Sequence, residues 1–267
     1  MENFFQAAHH LRKLCIDCAV SLPSAAVEDL FTVCMPNVSH LDISSFNDIS
    51  IDLLLRLAGC FPNVETLHIE GLRQCSDKAD ACEHGDSNKW PEFMKVLFDD
   101  EHTFPKLRNF FMDDISKCGP GAPAKLLSWN RPLEILRLKH EVTSINFYGL
   151  ITSPFKSTLT ELYLGWYINN QDFRYIGELH NLKIFSLLLC LHTRDEEFIH
   201  LKKLSNLEEL YISCGGEDCD LTPDGIIALF DLPYEMPERS FPYKLRSLAL
   251  TDLHMCHKEV LEVIVRK

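Results

Sequence analysis

Basic residues are scarce in this chain: 26 lysines and arginines stand against 39 aspartates and glutamates, a formal charge of −13. A surface of that sign repels nucleic acid and anionic membranes, so neither is an expected partner, whereas a basic protein surface is favoured. Long apolar runs are missing too. No stretch approaches the roughly 20 residues of a membrane-spanning helix, and Met1 to Arg12 lacks the apolar segment of a secretory signal. The compact signatures of catalysis are also absent: GxxxxGK[ST], a strand-linked GxGxxG, HExxH and GxSxG do not occur. Cys118-Gly119-Pro120-Gly121 reads as a turn, because it lacks the lysine of a phosphate loop and a strong helix start after it. The eleven cysteines are an odd number with no export signal, which points to reduced thiols in cytosol or nucleus. Asn37-Val38-Ser39 spells a glycosylation acceptor, but its valine opens a strand and the match is read as chance.

What the chain has in plenty is one phrase: apolar, two residues, apolar, one residue, apolar. It reads Leu11/Leu14/Ile16, Val38/Leu41/Ile43, Val64/Leu67/Ile69, Leu107/Phe110/Met112 and Leu133/Leu136/Leu138. It continues as Leu159/Leu162/Leu164, Leu182/Phe185/Leu187, Leu207/Leu210/Ile212 and Leu245/Leu248/Leu250. The first members stand 27, 26, 43, 26, 26, 23, 25 and 38 residues apart. A period near 26 running the length of a chain is the mark of a solenoid. Within the phrase, positions 4 and 6 alternate with 3, 5 and 7, which is the period of a strand with one buried face. A short strand cannot bury that face alone, so the strands must stack into a parallel sheet.

The rest of each unit returns the chain to the same edge, and several units carry helix signals there. Ser50 is placed to cap a helix that Gly59 closes, and Thr222 to cap one with Pro223 at its first position. Ser24 to Phe31 and Asp195 to Leu201 read as helices as well. Met35-Pro36, Phe61-Pro62, Phe104-Pro105 and Phe241-Pro242 precede four strands, where proline disfavours continued helix.

These phrases match the LxxLxL strand signature in nine places, and over residues 11 to 255 the chain resembles the leucine-rich repeat superfamily. Units near 26 residues with a real helix look like its ribonuclease-inhibitor and cysteine-containing types. Leu221-Thr222, Gly225-Ile226 and Ala228-Leu229 look like the helix start of those types. The resemblance implies an α/β horseshoe of about nine repeats, with a parallel concave sheet and convex helices. The ninth position, usually Asn or Cys in the family, is here Ala19, Phe46, Leu72, Ile115, Glu141, Tyr167, Cys190, Gly215 and Leu253, unlike the asparagine-ladder type. Glu141 predicts a locally irregular fifth turn.

At 46% apolar residues the 267-residue chain has enough for a long core, and one array means one domain over 1–267. Two units are over-long. The excess in the third lies near 73–89, with Asp77, Asp80, Glu83 and Asp86 and few apolar residues, and reads as a mobile acidic loop. The excess in the eighth lies near 232–243, where Pro233, Pro237 and Pro242 read as an ordered extended loop. Neither end carries a capping unit, so the chain reads as a piece of a longer protein or one completed by a partner.

Three thiol groupings offer chemistry. Cys15 and Cys18 make a CxxC, but on a strand with no second pair, where ordinary packing is the expectation. Cys75, Cys82 and His84 lie together in the acidic loop near His68, and would hold zinc only with a further ligand. Cys214 and Cys219 flank Gly215-Gly216. None of the twelve histidines stands in a motif with a nucleophile. The expectation is therefore no metal, no cofactor and no catalysis, with a zinc- or thiol-dependent enzyme as the alternative of another class.

The strand positions that point away from the core form the concave face. Position 5 runs Cys15, Asp42, His68, Phe111, Arg137, Tyr163, Ser186, Tyr211 and Ala249. Trp166 stands beside Tyr163, and the early units add Asp17, Glu70, Asp113 and Asp114. Tyr, Trp and Arg are the residues enriched in binding hot spots. Phe111, Arg137, Tyr163, Trp166 and Tyr211 are thus the expected anchors for a protein partner, with acid at one end. Aromatics packed against each other to cover the sheet would be the plainer alternative. Among families, the repeat arrays of F-box proteins are similar in unit length, cysteine use and helix starts. That resemblance implies substrate recognition for a cullin–RING ubiquitin ligase; no F-box is visible, since Leu22-Pro23 falls in register as the first repeat's helix. The ligand-sensing array of a nucleotide-binding immune receptor is the second reading.

Overall fold

In the seven inner repeats the phrase becomes a strand whose fourth and sixth positions are buried, while Leu14 and Ile16 of the first repeat and Leu248 and Leu250 of the last are half-buried. The computed structural model describes residues 10–16, 34–44, 51–71, 97, 102–114, 126, 129, 131–139, 147–165, 172–188, 194–213, 221–230 and 244–251. The chain gathers into two units, Met1–Leu133 and Glu134–Lys267. The first holds β1 (Lys13–Cys15), β2 (His40–Ile43), β3 (Thr66–Gly71) and β4 (Asn109–Asp114). The second holds β5 (Ile135–Lys139), β6 (Glu161–Gly165), β7 (Ile184–Leu188), β8 (Glu209–Ser213) and β9 (Ser247–Thr251). Within each unit sequential strands pair in parallel, phrase position against phrase position, as in Leu41 with Leu67 and Leu162 with Phe185. The fold is an α/β solenoid of leucine-rich-repeat type.

The register has a backbone origin repeated from unit to unit. The carbonyl at position 2 of one unit accepts two N–H groups of the next. Ser39 takes those of Glu65 and Thr66, Thr160 those of Lys183 and Ile184, and Lys183 those of Glu208 and Glu209. Five strands are launched by a turn in which the first phrase residue donates its N–H three residues back: Val38 to Met35, Val64 to Phe61, Leu107 to Phe104, Leu182 to Leu179 and Leu207 to Leu204; before β6, Leu159 donates four back, to Phe155. Proline at the second place of such a turn is pre-set for it, which explains Pro36, Pro62 and Pro105. The residue before each proline is buried: Met35, Phe61 and Phe104.

Asparagine fills the third place of four of these turns. Asn63 donates its amide to the Pro36 carbonyl at 2.8 Å, Asn181 to Ser157 at 2.8 Å and Asn206 to His180 at 2.7 Å. An asparagine ladder therefore exists, in the turn before the strand rather than at the family's ninth position. At one turn the backbone is strained. Phe104 lies at φ 49°, a left-handed conformation costly for a bulky residue. Its ring is fully buried, and Arg131 holds the carbonyls of Thr103 (2.6 Å) and Phe104 (2.9 Å).

Return helices cover the apolar strand face. In the first unit α1 (Ile51–Cys60) starts after Ser50 as expected, runs one residue past Gly59, which the sequence read as its end, and buries Leu54 and Leu57. In the second unit α2 (Tyr148–Thr152), α3 (Phe155–Thr158) and α4 (Asp172–Ile176) are single turns that bury Leu150, Phe155, Phe173 and Ile176. The sequence shows no strong start for these three. The predicted helix at 195–201 is α5 (Asp195–Phe198), which tightens into a 3-10 turn over Ile199–Lys203. The predicted helix after Thr222 is α6 (Pro223–Phe230). Aromatic edges lock the layers: Phe173 meets Phe198 at 5.8 Å and Phe110 meets Trp129 at 6.0 Å between ring centres. The predicted helix at 24–31, the irregular turn at Glu141 and the insertions at 73–89 and 232–243 lie outside the described residues.

Candidate functional site

Strand positions 3, 5 and 7 present the face that the helices leave open. In the first unit this face carries an ordered polar array. His68, at the centre of β3, lies between two carboxylates: its Nδ1 is 3.2 Å from Asp42 on β2, and its Nε2 is 3.3 Å from Asp113 on β4. The cross-strand partner of Asp42 is His68, and that of His68 is Phe111, so Asp113 reaches His68 along the diagonal, two residues further on. The Asp113 contact is one of proximity rather than a hydrogen bond, for Nε2 is buried with no hydrogen-bond partner among the described residues. Asp42 is anchored from its own strand by the Ser44 N–H (3.1 Å) and hydroxyl (2.8 Å). Burial works against its charged form, but the Ser44 bonds and the charge and bond of His68 outweigh it and hold the Asp42 carboxyl below its usual range. Phe111 stands edge-on to His68 with ring centres 5.8 Å apart. Asn109 donates to the Thr66 hydroxyl at 3.0 Å beside it.

In the second unit the open face is aromatic. Arg137, Tyr163, Ser186, Tyr211 and Ala249 occupy one register row across β5 to β9. The Arg137 guanidinium lies over the Tyr163 ring, 5.9 Å from its centre. Each tyrosine is tied to the glutamate two residues before it. Tyr163 donates to Glu161 at 3.0 Å and Tyr211 to Glu209 at 2.7 Å, with the Ser247 hydroxyl 3.3 Å from the Tyr211 oxygen. Burial, then the Glu161 bond and the nearby glutamate charges, push the Tyr163 phenol well above its ordinary range. It therefore acts as a neutral donor with a fixed ring.

Of the expected anchors, Phe111 lies half-exposed in the first unit. Arg137, Tyr163 and Tyr211 share one row in the second, Arg137 exposed and both tyrosines half-exposed. Trp166 lies outside the described residues, as do Cys18, Cys75, Cys82, His84, Cys214 and Cys219. Cys15 is exposed on β1. Cys60 is buried, and burial followed by the charge of Cys34 pushes its thiol up, away from nucleophilic use. Among the described residues no group of three or more His, Cys, Asp or Glu side chains is placed to hold a metal, and no helix is long and apolar enough to cross a membrane.

The His68 array is the feature that sequence reasoning missed. Asp42 and His68 share position 5 in neighbouring units, and Asp113 stands at position 7 of the next unit, so the signal was a row of opposite-charge candidates one unit apart. The two Glu-Leu-Tyr triplets at 161–163 and 209–211 were likewise visible as a repeated spelling.

No protein-family model matches the chain, and no curated protein matches it. Among solved structures it is similar to a chain in the crystal structure of the yeast Rad7 and Elc1 complex, at 14% identity and a TM-score of 0.47, over all of this chain and 80% of that one. A likeness at that level leaves the fold to stand on the chain's own strand register.

Proposed function

We propose that this protein is a non-catalytic interaction module whose open strand face binds another protein, in the cytosol or nucleus. The observation that supports it is the second unit's row, in which exposed Arg137 and half-exposed Tyr163 and Tyr211 share one register. Large side chains already tied down by Glu161 and Glu209 present contact area with little rotamer entropy left to lose. The finer reading is substrate recognition for a cullin–RING ubiquitin ligase of the F-box type. It rests on the family resemblance in unit length and helix starts, which is analogy at the level of fold.

Proximity labelling in cells would identify the partner, and a scaffold of the cullin–RING class among the labelled proteins would favour the ligase reading. A nucleotide-binding receptor instead would favour the sensing array. For the surface itself, Tyr163→Ala and Arg137→Ala are to be compared with helix-side changes, Arg56→Ala and Lys202→Ala. The expected result is a loss of roughly 2 kcal/mol of binding for Tyr163→Ala, with the helix-side variants unchanged. Loss of binding only in folded helix-side variants would sink the strand-face reading.

A further inference from the structure

Across the second unit the register row alternates in size. Tyr163 pairs with Ser186, Ser186 with Tyr211, and Tyr211 with Ala249. The two tyrosines therefore flank β7, their backbones about 9.5 Å apart at two strand spacings, with Ser186 alone between them in the row. Two residues nearer the strand starts, the next row reads Glu161, Ile184, Glu209. By register, Ser186 and Ile184 form the floor of a recess on β7, with the tyrosines of β6 and β8 to either side and the two glutamates at one end.

The walls are fixed by the Tyr163–Glu161 and Tyr211–Glu209 bonds. The two carboxylates occupy the same row, Glu161 and Glu209 each pairing with Ile184 between them. Among the described residues neither glutamate is paired with a cation; each accepts from its own strand's tyrosine. Arg137 does not fill the recess from within the row, because it sits on β5, the other neighbour of β6, over the Tyr163 ring.

We propose that this recess receives an arginine side chain presented by the partner protein. The inference rests on the reading of the strand face as a protein-binding surface. A guanidinium is planar and weakly hydrated, stacks on phenol faces and offers a fork of donors to carboxylates. Arg137 on Tyr163 is an example of the same stacking inside this chain. A lysine ammonium matches less well, since it is a compact, strongly hydrated point charge. The chain's charge of −13 adds attraction for a basic segment during encounter.

The test titrates the full chain with a fluorescent, end-blocked Gly-Ser-Arg-Ser-Gly peptide, beside versions with citrulline or lysine in place of arginine. Saturable binding of the arginine peptide is expected, weakened by about tenfold or more with citrulline, with Glu209→Gln and with Tyr211→Ala. Ser186→Phe, which fills the recess, should abolish it. The proposal is overturned by equal binding of the citrulline or lysine peptide, by no saturation at millimolar arginine peptide, or by unchanged binding in a folded Glu209→Gln. With the labelled partner in place of the peptide, the two readings separate. If Arg137→Ala and Tyr163→Ala weaken the complex but folded Ser186→Phe and Glu209→Gln do not, the strand face stands and the recess fails. If none of the four does, the strand-face reading itself fails.

Discussion

Asp195, at the start of α5, holds Thr222, at the start of α6 one repeat later, by two bonds. Thr222 donates its backbone N–H to Oδ1 at 2.9 Å and its hydroxyl to Oδ2 at 2.5 Å. The bonded carboxylate lies where a Cβ on Gly225 would stand. Helix propensity alone favours alanine over glycine by roughly 1 kcal/mol. Here Gly225→Ala is expected to destabilise instead, because the new methyl displaces Asp195 from Thr222. In an Asp195→Ala background the same change should cost less, because the carboxylate is gone and only the Cβ of residue 195, 2.8 Å from the new methyl, still stands in its way. A double-mutant cycle by urea unfolding reads the coupling, and a stabilising Gly225→Ala in the wild-type background would contradict the packing.

Asp42 makes stability depend on acid. Its carboxyl is held below the usual 3.8, so the carboxylate form is the one the folded state prefers. The contribution is fully present above the unfolded value and is lost as pH falls through the folded one. The melting temperatures of wild type and Asp42→Asn should therefore differ most above about pH 5 and converge as the pH drops below the usual carboxylate range. A gap that widens on acidification would reverse the assignment.

The turn ladder should be measurable one rung at a time. Asn63, Asn181 and Asn206 each join one turn to the turn before it through an exposed amide. Replacing any one with alanine should cost about 0.5–1.5 kcal/mol, the net value of such a bond. Lys183→Ala, an exposed change whose backbone bonds persist, serves as the control. Hydrogen exchange should show the loss near the altered turn, because coupling in a solenoid is to neighbours.

The core predicts larger effects. Leu136, Leu162 and Leu210 are fully buried at position 4 of their strands. Each Leu→Ala change should cost roughly 2–5 kcal/mol, seen as a lowered urea midpoint or as an early local transition. Losses under about 1 kcal/mol at all three would mean a register other than the one described.

The nine strands, their order of burial and their pairing partners were legible in the chain itself. A period of two inside a period near 26 leaves one way to bury positions 4 and 6, and that way sets position 3 against position 3 throughout each unit. The candidate surface was legible for the same reason: Arg137, Tyr163 and Tyr211 share a row because they share a phrase position. Tertiary structure decided what those side chains touch. The His68 imidazole reaches Asp42 along its row and Asp113 off it, along a diagonal that phrase position does not pick out. Tyr163 turns toward Glu161 on its own strand, while the guanidinium over its ring comes from the next. The amide ladder runs through turns rather than through the family's ninth position, since what it needs is an open carbonyl one unit back. Repetition in sequence dictates where backbones lie; rotamers and the partners within reach of them settle the rest.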